Sequence, residues 1–312
     1  MAPLNGPLIV VGGVNVDISG TTQTAMLRGD SNPGRITVTP GGVGRNIAET
    51  LARLGQKVGL LSVLGEDANA DLIRRSCVQA HIDLTETEAV PGARTGTYLC
   101  LNEPDGDVYA AVSDMDIYRH LSPALIERHL SALNAASLVL IDANLPEETI
   151  AFLAERCEAP LAADPVSVKK AGRLKSALPR LVTMKPNRRE AALLTGVDTS
   201  TMTGVAEAAQ VLYARGVRHV FISLGSDGVY YEDGTSRGVQ PCFPGRVLNT
   251  NGCGDAFIAA ALIAWLEGQD TAGMARMGQA AASVNAEADT AVSPQLSLDS
   301  IRRRLESGAA NE

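Results

Sequence analysis

The sequence predicts a three-layer α/β/α fold with a mostly parallel central sheet and a small β-sheet lid. Short apolar runs of three to six residues alternate along the chain with longer stretches of helical periodicity, the pattern of repeated strand–helix units. Most of the runs are continuously apolar, which is typical of strands covered on both faces. The polar stretches that interrupt this alternation predict the lid. We assign all 312 residues to one domain, residues 1–312.

The elements follow in chain order. The apolar runs predict strands at residues 8–11, 58–63, 137–141, 161–163, 181–184 and 219–224. A period of 3.6 residues, with Gly55 and Gly216 as stop signals, indicates helices between them. These helices are predicted at residues 44–54, 69–80, 146–157, 205–214 and 256–266.

Two segments break the alternation, at about residues 17–40 and 95–118. The first is rich in Thr, Ser, Gly and Asp, whereas the second alternates apolar and polar residues around a turn signal at 104–107. A long loop plus a simple hairpin is one interpretation. We favour strands that pair into a separate small sheet, because long structureless loops are uncommon in compact domains.

Composition excludes several classes of function. There are 27 Lys and Arg against 35 Asp and Glu, a net charge of −8, and no basic block, so a nucleic-acid surface is not expected. The longest apolar run, 256–266, is shorter than the ~18 residues of a membrane span. The five cysteines lack a Cys-x-x-Cys pair, and residues 1–7 lack a basic signal-peptide region. We therefore expect a cytoplasmic protein.

The strongest local signal is the segment from Asn249 to Asp255, which leads into the apolar helix. Gly252 and Gly254 allow the backbone to approach a ligand closely, and the helix start directs free N–H groups at the same point. Such a site suits a phosphoryl group or a developing oxyanion. Asp255 is either the helix N-cap or a general base, and the two interpretations are evenly balanced on the spacing alone.

Known phosphate-binding fingerprints are absent from the sequence. No Gly-x-x-x-x-Gly-Lys-Ser/Thr motif occurs, and the glycines at 12–13 and 41–44 lack the Gly-x-Gly-x-x-Gly spacing of dinucleotide-binding folds. A Walker-type nucleotidase and a dehydrogenase are therefore disfavoured.

Three segments together resemble a known family. They are Gly-Gly-Val-Gly-Arg-Asn at 41–46, Lys-Pro-Asn-Arg-Arg-Glu at 185–190 and Gly-Cys-Gly-Asp at 252–255. In order and spacing they resemble the signatures of the ribokinase-like, PfkB-type carbohydrate and nucleoside kinases, over about residues 8–297. Flanking residues at 30–34, 164–167 and 224–231 resemble the subgroup that phosphorylates pseudouridine.

The resemblance implies phosphoryl transfer from ATP, with Mg²⁺, to the 5′-hydroxyl of a small ribosyl substrate. Asp255 would be the general base, and the backbone at Gly252, Cys253 and Gly254 would form the anion hole. The implied substrate-binding residues are Asp17, Gly42, Asn46 and Asn144. The implied nucleotide-binding residues are Asn187, Ser223, Gly225, Gly228, Asn251 and Asn285, and Glu190 would hold the metal through water.

Simpler interpretations stay open for several of these residues. Asn187 and Glu190 also fit a helix capping box, and the loop at 224–228 also fits a hairpin turn. Lys185 is either a phosphate-binding residue or a solvated charge, and a single Lys beside a proline is more often a solvated charge. Asp17 alone would be interpreted as a turn residue.

Departures from the family pattern lead to further expectations. Cys253 places a thiol at a helix N-terminus, where its pKa should fall and thiol reagents should inhibit. Many relatives have an acidic residue at the position of Asn249, where it is associated with a monovalent cation, so a K⁺ requirement is left open. Exposed lid edges predict a homodimer. The alternative functions are a kinase for ribose, adenosine or fructose, and a non-catalytic nucleoside sensor.

Overall fold

The central element is a nine-stranded sheet in the order β15-β14-β13-β12-β11-β10-β1-β4-β6. The computed structural model describes residues 6–309, so most of the N-terminal segment used in the signal-peptide argument lies outside the described residues. The strands from β13 to β6 pair in parallel, and β14 and β15 are added antiparallel at one edge. The mostly parallel sheet is therefore confirmed.

The strands of the large sheet are β1 (Leu8–Val11), β4 (Val58–Leu61), β6 (Ile82–Asp83), β10 (Leu138–Asp142), β11 (Leu161–Asp164), β12 (Leu181–Met184), β13 (His219–Ser223), β14 (Val229–Glu232) and β15 (Arg237–Gln240). The lid sheet contains β2 (Asn15–Thr22), β3 (Gly34–Gly41), β8 (Thr97–Asn102) and β9 (Val108–Asp114), and a two-stranded sheet contains β5 (Val63–Leu64) and β7 (Glu88–Ala89).

The helices are α1 (Val43–Arg53), α2 (Ala68–Gln79), α3 (Pro123–Asn134), α4 (Glu147–Arg156), α5 (Val168–Ala171), α6 (Arg188–Thr195), α7 (Met202–Ala214), α8 (Cys253–Leu266), α9 (Thr271–Ala286) and α10 (Leu298–Ala309). Four 3₁₀ helices span Asp116–His120, Gly172–Ser176, Leu178–Arg180 and Gly225–Asp227. No helix within residues 6–309 has both the length and the apolar composition needed to cross a membrane.

Alternate residues of each central strand enter two separate cores, which makes the fold three-layered. Ile9 and Val11 pack with the helices α3 to α7, whereas Leu8 and Val10 pack with α1, α2, α8 and α9. Residues 255–264 of α8 are all buried, because this helix lies between the sheet, α1 and α9. A helix that is apolar on every side requires such a position.

The lid sheet runs in the order β3-β2-β8-β9, so both irregular segments form strands as predicted. The turn at 104–107 joins β8 and β9, which pair antiparallel. The segment 95–118 extends further than the lid itself, because Ile117 and Tyr118 pack into the body of the domain. Asp17 is part of lid strand β2 rather than a turn after the first strand.

Two other strand predictions differ from the structure. The run at 58–63 is divided into β4 and β5, and between them the Ser62 hydroxyl donates to the carbonyl of Gly12 at 2.6 Å. Strands β14 and β15 were not predicted from the sequence. The loop at 224–228 proves to be the hairpin that connects β13 to β14.

Candidate active site

The candidate site lies at the carboxyl ends of the parallel strands, where the strand order reverses beside β1. From β1 the chain crosses to β4 on one side, whereas β10 begins the other half of the sheet. Open α/β sheets bind ligands at such a switch point. Gly12 follows β1 here, and Asp142 and Asp164 end β10 and β11.

Asp255 stands at the centre of this region. It lies in the first turn of α8, whose N-cap is Gly252, and its side chain makes no capping bond. Its Oδ2 instead accepts a hydrogen bond of 3.0 Å from Nδ2 of Asn46 on α1. The N-cap interpretation of Asp255 is therefore wrong.

The environment of Asp255 changes its protonation. Burial, followed by the negative charge of nearby Asp164, raises the pKa of Asp255 to about 7. The bond from Asn46 and the positive charge of Lys185 act in the opposite direction. A carboxylate with a pKa near neutrality is well matched to accept a proton from a hydroxyl group.

The loop before α8 can direct its backbone N–H groups towards a ligand because Gly252 adopts a left-handed conformation that other residues rarely adopt. Gly252 has φ +76°, and a Cβ atom there would lie 1.8 Å from the carbonyl oxygen of Ala291. The first turn of α8 follows directly. The N–H of Cys253 donates to the carbonyl oxygen of Thr250 at 3.3 Å, whereas the N–H groups of Gly254 and Asp255 have no partner among residues 6–309. These groups and the positive end of the helix dipole form an anion site of the kind expected from the motif.

Lys185 lies against this anion site and is not a solvated charge, so that interpretation is wrong. Only 8% of the residue is exposed. A Cβ atom on Gly254 would lie 3.0 Å from Nζ of Lys185. Nζ has no hydrogen-bond or ion-pair partner among residues 6–309, although the charges of Asp164, Glu190 and Asp255 are close enough to interact. The amino group of Lys185 is thus buried and available to an anion.

The lid contributes Asp17, which lies close to Gly41 and Gly42 at the start of α1. Oδ1 of Asp17 accepts a bond of 2.6 Å from Asn15, whereas Oδ2 has no hydrogen-bond partner among the described residues. Burial raises the pKa of Asp17. A Cβ atom on Gly41 would lie 2.1 Å from Oδ2 of Asp17, and one on Gly42 would lie 2.5 Å from the carbonyl oxygen of Gly13. Glycine is therefore required at position 42, where φ is +98° and the close atom belongs to the backbone, whereas a side chain at position 41 would displace the Asp17 carboxylate.

Asn144 belongs to a buried hydrogen-bond chain next to β1. Its Nδ2 donates to Asp142 at 2.9 Å, and the same Asp142 oxygen accepts from the N–H of Gly13 at 2.8 Å. Its Oδ1 accepts a bond of 2.5 Å from Nζ of Lys170. Burial raises the pKa of Asp142 to about 6 and lowers the pKa of Lys170. The turn that leads to Lys170 contains Val166 at φ 62°, a conformation that β-branched residues rarely adopt.

A large cavity of about 500 Å³ opens beside the anion site, between α8, α9 and the loop after β15. Of the predicted nucleotide-binding residues, Ser223, Gly225 and Gly228 line it. Asn251 is exposed and outside the lining, where Thr250 takes its place. Asn285 is fully buried behind the loop, and its Nδ2 donates to the carbonyls of Asn251 and Ala291.

Asn187 and Glu190 form a complete capping box at the start of α6. Oδ1 of Asn187 accepts from the N–H of Glu190 at 3.0 Å, and Oε2 of Glu190 accepts from the N–H of Asn187 at 2.8 Å. The capping interpretation is therefore confirmed, and Asn187 is exposed and does not line the large cavity. Oε1 of Glu190 makes no hydrogen bond within residues 6–309, so capping leaves one carboxylate oxygen free.

The free carboxylate oxygens fit a magnesium ion bound together with phosphate. Oε1 of Glu190 and Oδ2 of Asp164 lack hydrogen-bond partners in the described part of the chain, while their other oxygens accept backbone N–H groups. Oxygen ligands of this type, acting directly or through water, suit Mg²⁺. Residues 6–309 contain no cluster of three or more His, Cys, Asp or Glu side chains that could hold a metal ion. The remaining ligands of a magnesium ion would therefore be water and phosphate oxygens.

The expected activation of Cys253 is wrong. Burial raises the pKa of the Cys253 thiol, and the charge of Asp255 acts in the same direction. The position at the helix start does not overcome this desolvation, so the thiol is protonated at neutral pH. We therefore no longer expect rapid inhibition by thiol reagents at this residue.

Residues 7–297 match the pfkB family carbohydrate kinases. The chain belongs to this family. It is 33% identical to a pseudouridine kinase from Escherichia coli K12 over 94% of this chain and 95% of that protein. It is 27% identical to a ribokinase from Bacillus subtilis strain 168, over 89% of this chain and 92% of the relative.

A solved structure shows the same architecture. The Arabidopsis thaliana ribokinase complexed with ribose and ATP superposes on this pfkB family kinase with a TM-score of 0.88. The two chains are 25% identical, with 96% of this chain and 99% of that chain covered. The fold prediction and the assignment to the phosphotransferases that act on an alcohol group are thereby confirmed.

Three side chains of the site were missed or misinterpreted from the sequence of this pfkB family kinase. Asp142 and Lys170 gave no motif, because they become neighbours only through the parallel pairing of β10 with β1 and β11. Asp142 ends an apolar strand, and a charged residue at the carboxyl end of a buried parallel strand is the signal that could have found it. Lys185 likewise follows an apolar strand.

Proposed function

We propose that this kinase transfers the γ-phosphoryl group of ATP to the 5′-hydroxyl of pseudouridine, producing pseudouridine 5′-phosphate and ADP. The single observation that carries the proposal is the position of Asp255. Its carboxylate accepts a hydrogen bond from Asn46 on α1, and it lies in the first turn of α8, next to the anion site and near the charge of Lys185. These contacts support a proton acceptor between the proposed hydroxyl site and the proposed phosphate site.

In the proposed reaction, Asp255 accepts the proton of the 5′-hydroxyl as its oxygen attacks the γ-phosphorus. The bond between the γ-phosphorus and the β,γ-bridging oxygen breaks, and ADP leaves with that electron pair. The backbone N–H groups at Gly252, Cys253 and Gly254 stabilise charge on the transferring group. Phosphoryl transfer depends mainly on such positioning and electrostatics.

The donor side is supplied by the large cavity and Lys185. The cavity holds the adenosine part of ATP along Ser223, Gly225 and Gly228, and the triphosphate extends towards Gly254. Lys185, which has no hydrogen-bond or ion-pair partner among residues 6–309, binds the phosphate oxygens there. Mg²⁺, held through Glu190 and water, would neutralise charge on those oxygens.

The substrate assignment is supported by the polar groups that face the hydroxyl side. Asp17, which lies against Gly41, offers the ribose hydroxyls a carboxylate oxygen without a hydrogen-bond partner among residues 6–309. Asn46 and the backbone of Gly42 are proposed to bind the same substrate. Asn144, with its amide fixed between Asp142 and Lys170, offers neutral hydrogen-bonding groups to the substrate. The similarity to the E. coli pseudouridine kinase also favours a nucleoside.

The lid is proposed to cover the substrate and exclude water, which would otherwise compete as acceptor. Its strands correspond to the segments at about 17–40 and 95–118. One face presents Asp17 to the site. The opposite face carries exposed Ile36, Val38 and Val112, whose register aligns them across the sheet.

This exposed apolar face supports the proposed homodimer, in which the lid sheets of two copies cover each other. Light scattering after gel filtration tests it: the wild type should have twice the mass of the chain, and Val112→Asp should be monomeric. A monomeric wild type at micromolar concentration contradicts the dimer.

The free thiols of all five cysteines support a cytoplasmic location.

Product analysis tests the function. The purified protein is incubated with Mg²⁺, ATP and one acceptor in each reaction. The acceptors are pseudouridine, uridine, adenosine, ribose and fructose. ADP formation and the phosphorylated product are measured. The proposal predicts turnover with pseudouridine and phosphorylation at the 5′-oxygen. Preferential turnover of ribose or fructose would make the alternative sugar kinase correct, and tight nucleoside binding without ADP formation would indicate a sensor.

A further inference from the structure

One wall of the large cavity is a loop with few bonds of its own. Phe243, Gly245, Arg246 and Val247 from the segment between β15 and α8 all line the cavity. The next residue, Leu248, donates its N–H to the carbonyl oxygen of Ala286 at the end of α9. In residues 244–247, by contrast, only one atom takes part in a hydrogen bond to the rest of the described chain. Within residues 6–309, the single hydrogen bond of that stretch is accepted by the carbonyl oxygen of Pro244.

The donor of this bond is Arg304, which reaches the loop from α10. Its Nη1 donates to Pro244 at 2.9 Å and also to the hydroxyl of Ser283 on α9. Its Nη2 forms an ion pair of 2.7 Å with Glu287 just beyond α9. One guanidinium group thus joins three separate segments: α10, the end of α9 and the loop.

Arg304 differs from its neighbours on the same helix. Its side chain is 15% exposed, whereas that of Arg302 is 68% exposed. Gly245 packs directly against the ion pair, since a Cβ atom there would lie 2.7 Å from both Nη1 of Arg304 and Oε1 of Glu287. The loop therefore follows the surface of the ion pair closely.

We propose that Arg304 is a positioning residue for nucleotide binding: it holds the loop at 243–248 as a preformed wall of the cavity. This inference rests on the proposed function only in assigning the cavity to ATP. Charge-assisted hydrogen bonds are stronger than neutral ones, and fixing a loop before binding removes the entropic loss of ordering it on the ligand. Loss of the guanidinium group should weaken nucleotide binding and leave the acceptor site unaffected.

The test compares Arg304→Ala and Arg304→Lys with Arg303→Ala, whose wild-type side chain is exposed and makes no bond in the described part of the chain. For Arg304→Ala, KM for ATP should rise by about 10-fold, as expected for loss of one charged hydrogen-bonding group. The turnover number and KM for the acceptor should stay within about twofold of wild type. Arg304→Lys should recover part of the loss, and Arg303→Ala should match wild type.

Two direct measurements complete the test. Calorimetric binding of a non-hydrolysable ATP analogue, without acceptor, should weaken in Arg304→Ala, and hydrogen exchange of the Leu248 amide, which donates to α9 at the end of the loop, should accelerate. Unchanged nucleotide affinity in a folded Arg304→Ala variant overturns the inference while leaving the function intact. If Arg304→Ala lowered the turnover number and raised KM for ATP and KM for the acceptor to a similar extent, Arg304 would have only a structural role. A wild type that binds no nucleotide would contradict the proposed function as well.

Discussion

Nδ2 of Asn46 lies 3.0 Å from Oδ2 of Asp255, although the two residues are 209 positions apart in the chain. The amide oxygen of Asn46 is in turn held by Nη1 of Arg45 at 3.0 Å, so the orientation of the amide is fixed. This contact joins the first turn of α1 to the first turn of α8. The residue proposed as general base is therefore held by the helix that borders the acceptor side.

Replacement of Asp255 by Asn should nearly abolish catalysis. Loss of a general base reduces the turnover number by about 10²–10⁴-fold, while KM for ATP should change little. Steady-state rates measure the effect. Asp71→Asn is the matched control, because Asp71 also lies in the first turn of a helix but is exposed. A turnover number of Asp255→Asn near that of wild type would exclude Asp255 as the base.

The activity should depend on pH through the same carboxyl group. Asp255 must be deprotonated to accept a proton, and burial raises its pKa to about 7. A profile of kcat/KM for the acceptor should therefore fall below neutrality, with slope one on the acid side. An acid limb near pH 4, the range of an ordinary carboxyl group, would argue against this assignment.

Asn46→Ala should move that acid limb to higher pH. The hydrogen bond from Asn46 stabilises the charged form of Asp255, so its removal raises the pKa further. We expect a shift of about 0.5–1 pH unit in the kcat/KM profile. A limb at the wild-type position would mean that the contact does not influence ionisation.

Lys185→Met should weaken the use of ATP. The buried ammonium group is expected to bind phosphate oxygens, and loss of a charged hydrogen bond of this kind lowers kcat/KM for ATP by about 10–100-fold. Lys57→Met provides the control, because Lys57 is exposed and immediately precedes β4, at the opposite end of the sheet. Equal kinetics in the two variants would remove Lys185 from the phosphate site.

Asp255→Asn should also change the stability of the fold in a pH-dependent manner. The pKa of Asp255 is raised from 3.8 to about 7, so between these values the folded state binds more protons than the unfolded state. The free energy of unfolding of the wild type therefore falls through this group as pH rises. Because Asn carries no charge, the free energy of unfolding of Asp255→Asn lacks this dependence. Relative to the wild type, the variant should therefore be more stable at pH 8 than at pH 4, by up to about 4 kcal/mol. Denaturant unfolding at both pH values measures it.

The sequence predicts the architecture well because the strongest signals are local. The apolar runs of β1 and β10 and the glycines at 252 and 254 act within a few residues, and both were located correctly. By contrast, β14 and the edge strand β15 have only four residues each and mix apolar with polar side chains, so they lack a distinct apolar pattern.

The details of the site depended on contacts that no local pattern contains. Lys185 looks like a surface charge beside a proline, but α8 and the anion loop cover it. Asn285 follows the cavity-lining Ser283 by only two residues, yet its side chain bonds to the backbone carbonyls of Asn251 and Ala291. Burial, which only the tertiary structure determines, also reversed the expected reactivity of Cys253.

A competition experiment tests the central claim most directly. Wild-type protein is given equal concentrations of pseudouridine, uridine and ribose with limiting ATP and Mg²⁺, and the phosphorylated products are identified and quantified by ³¹P NMR. We expect pseudouridine 5′-phosphate as the main product of the wild type and no phosphorylated product from Asp255→Asn. Ribose 5-phosphate or uridine 5′-phosphate as the main product, or equal yields from Asp255→Asn, would contradict the claim.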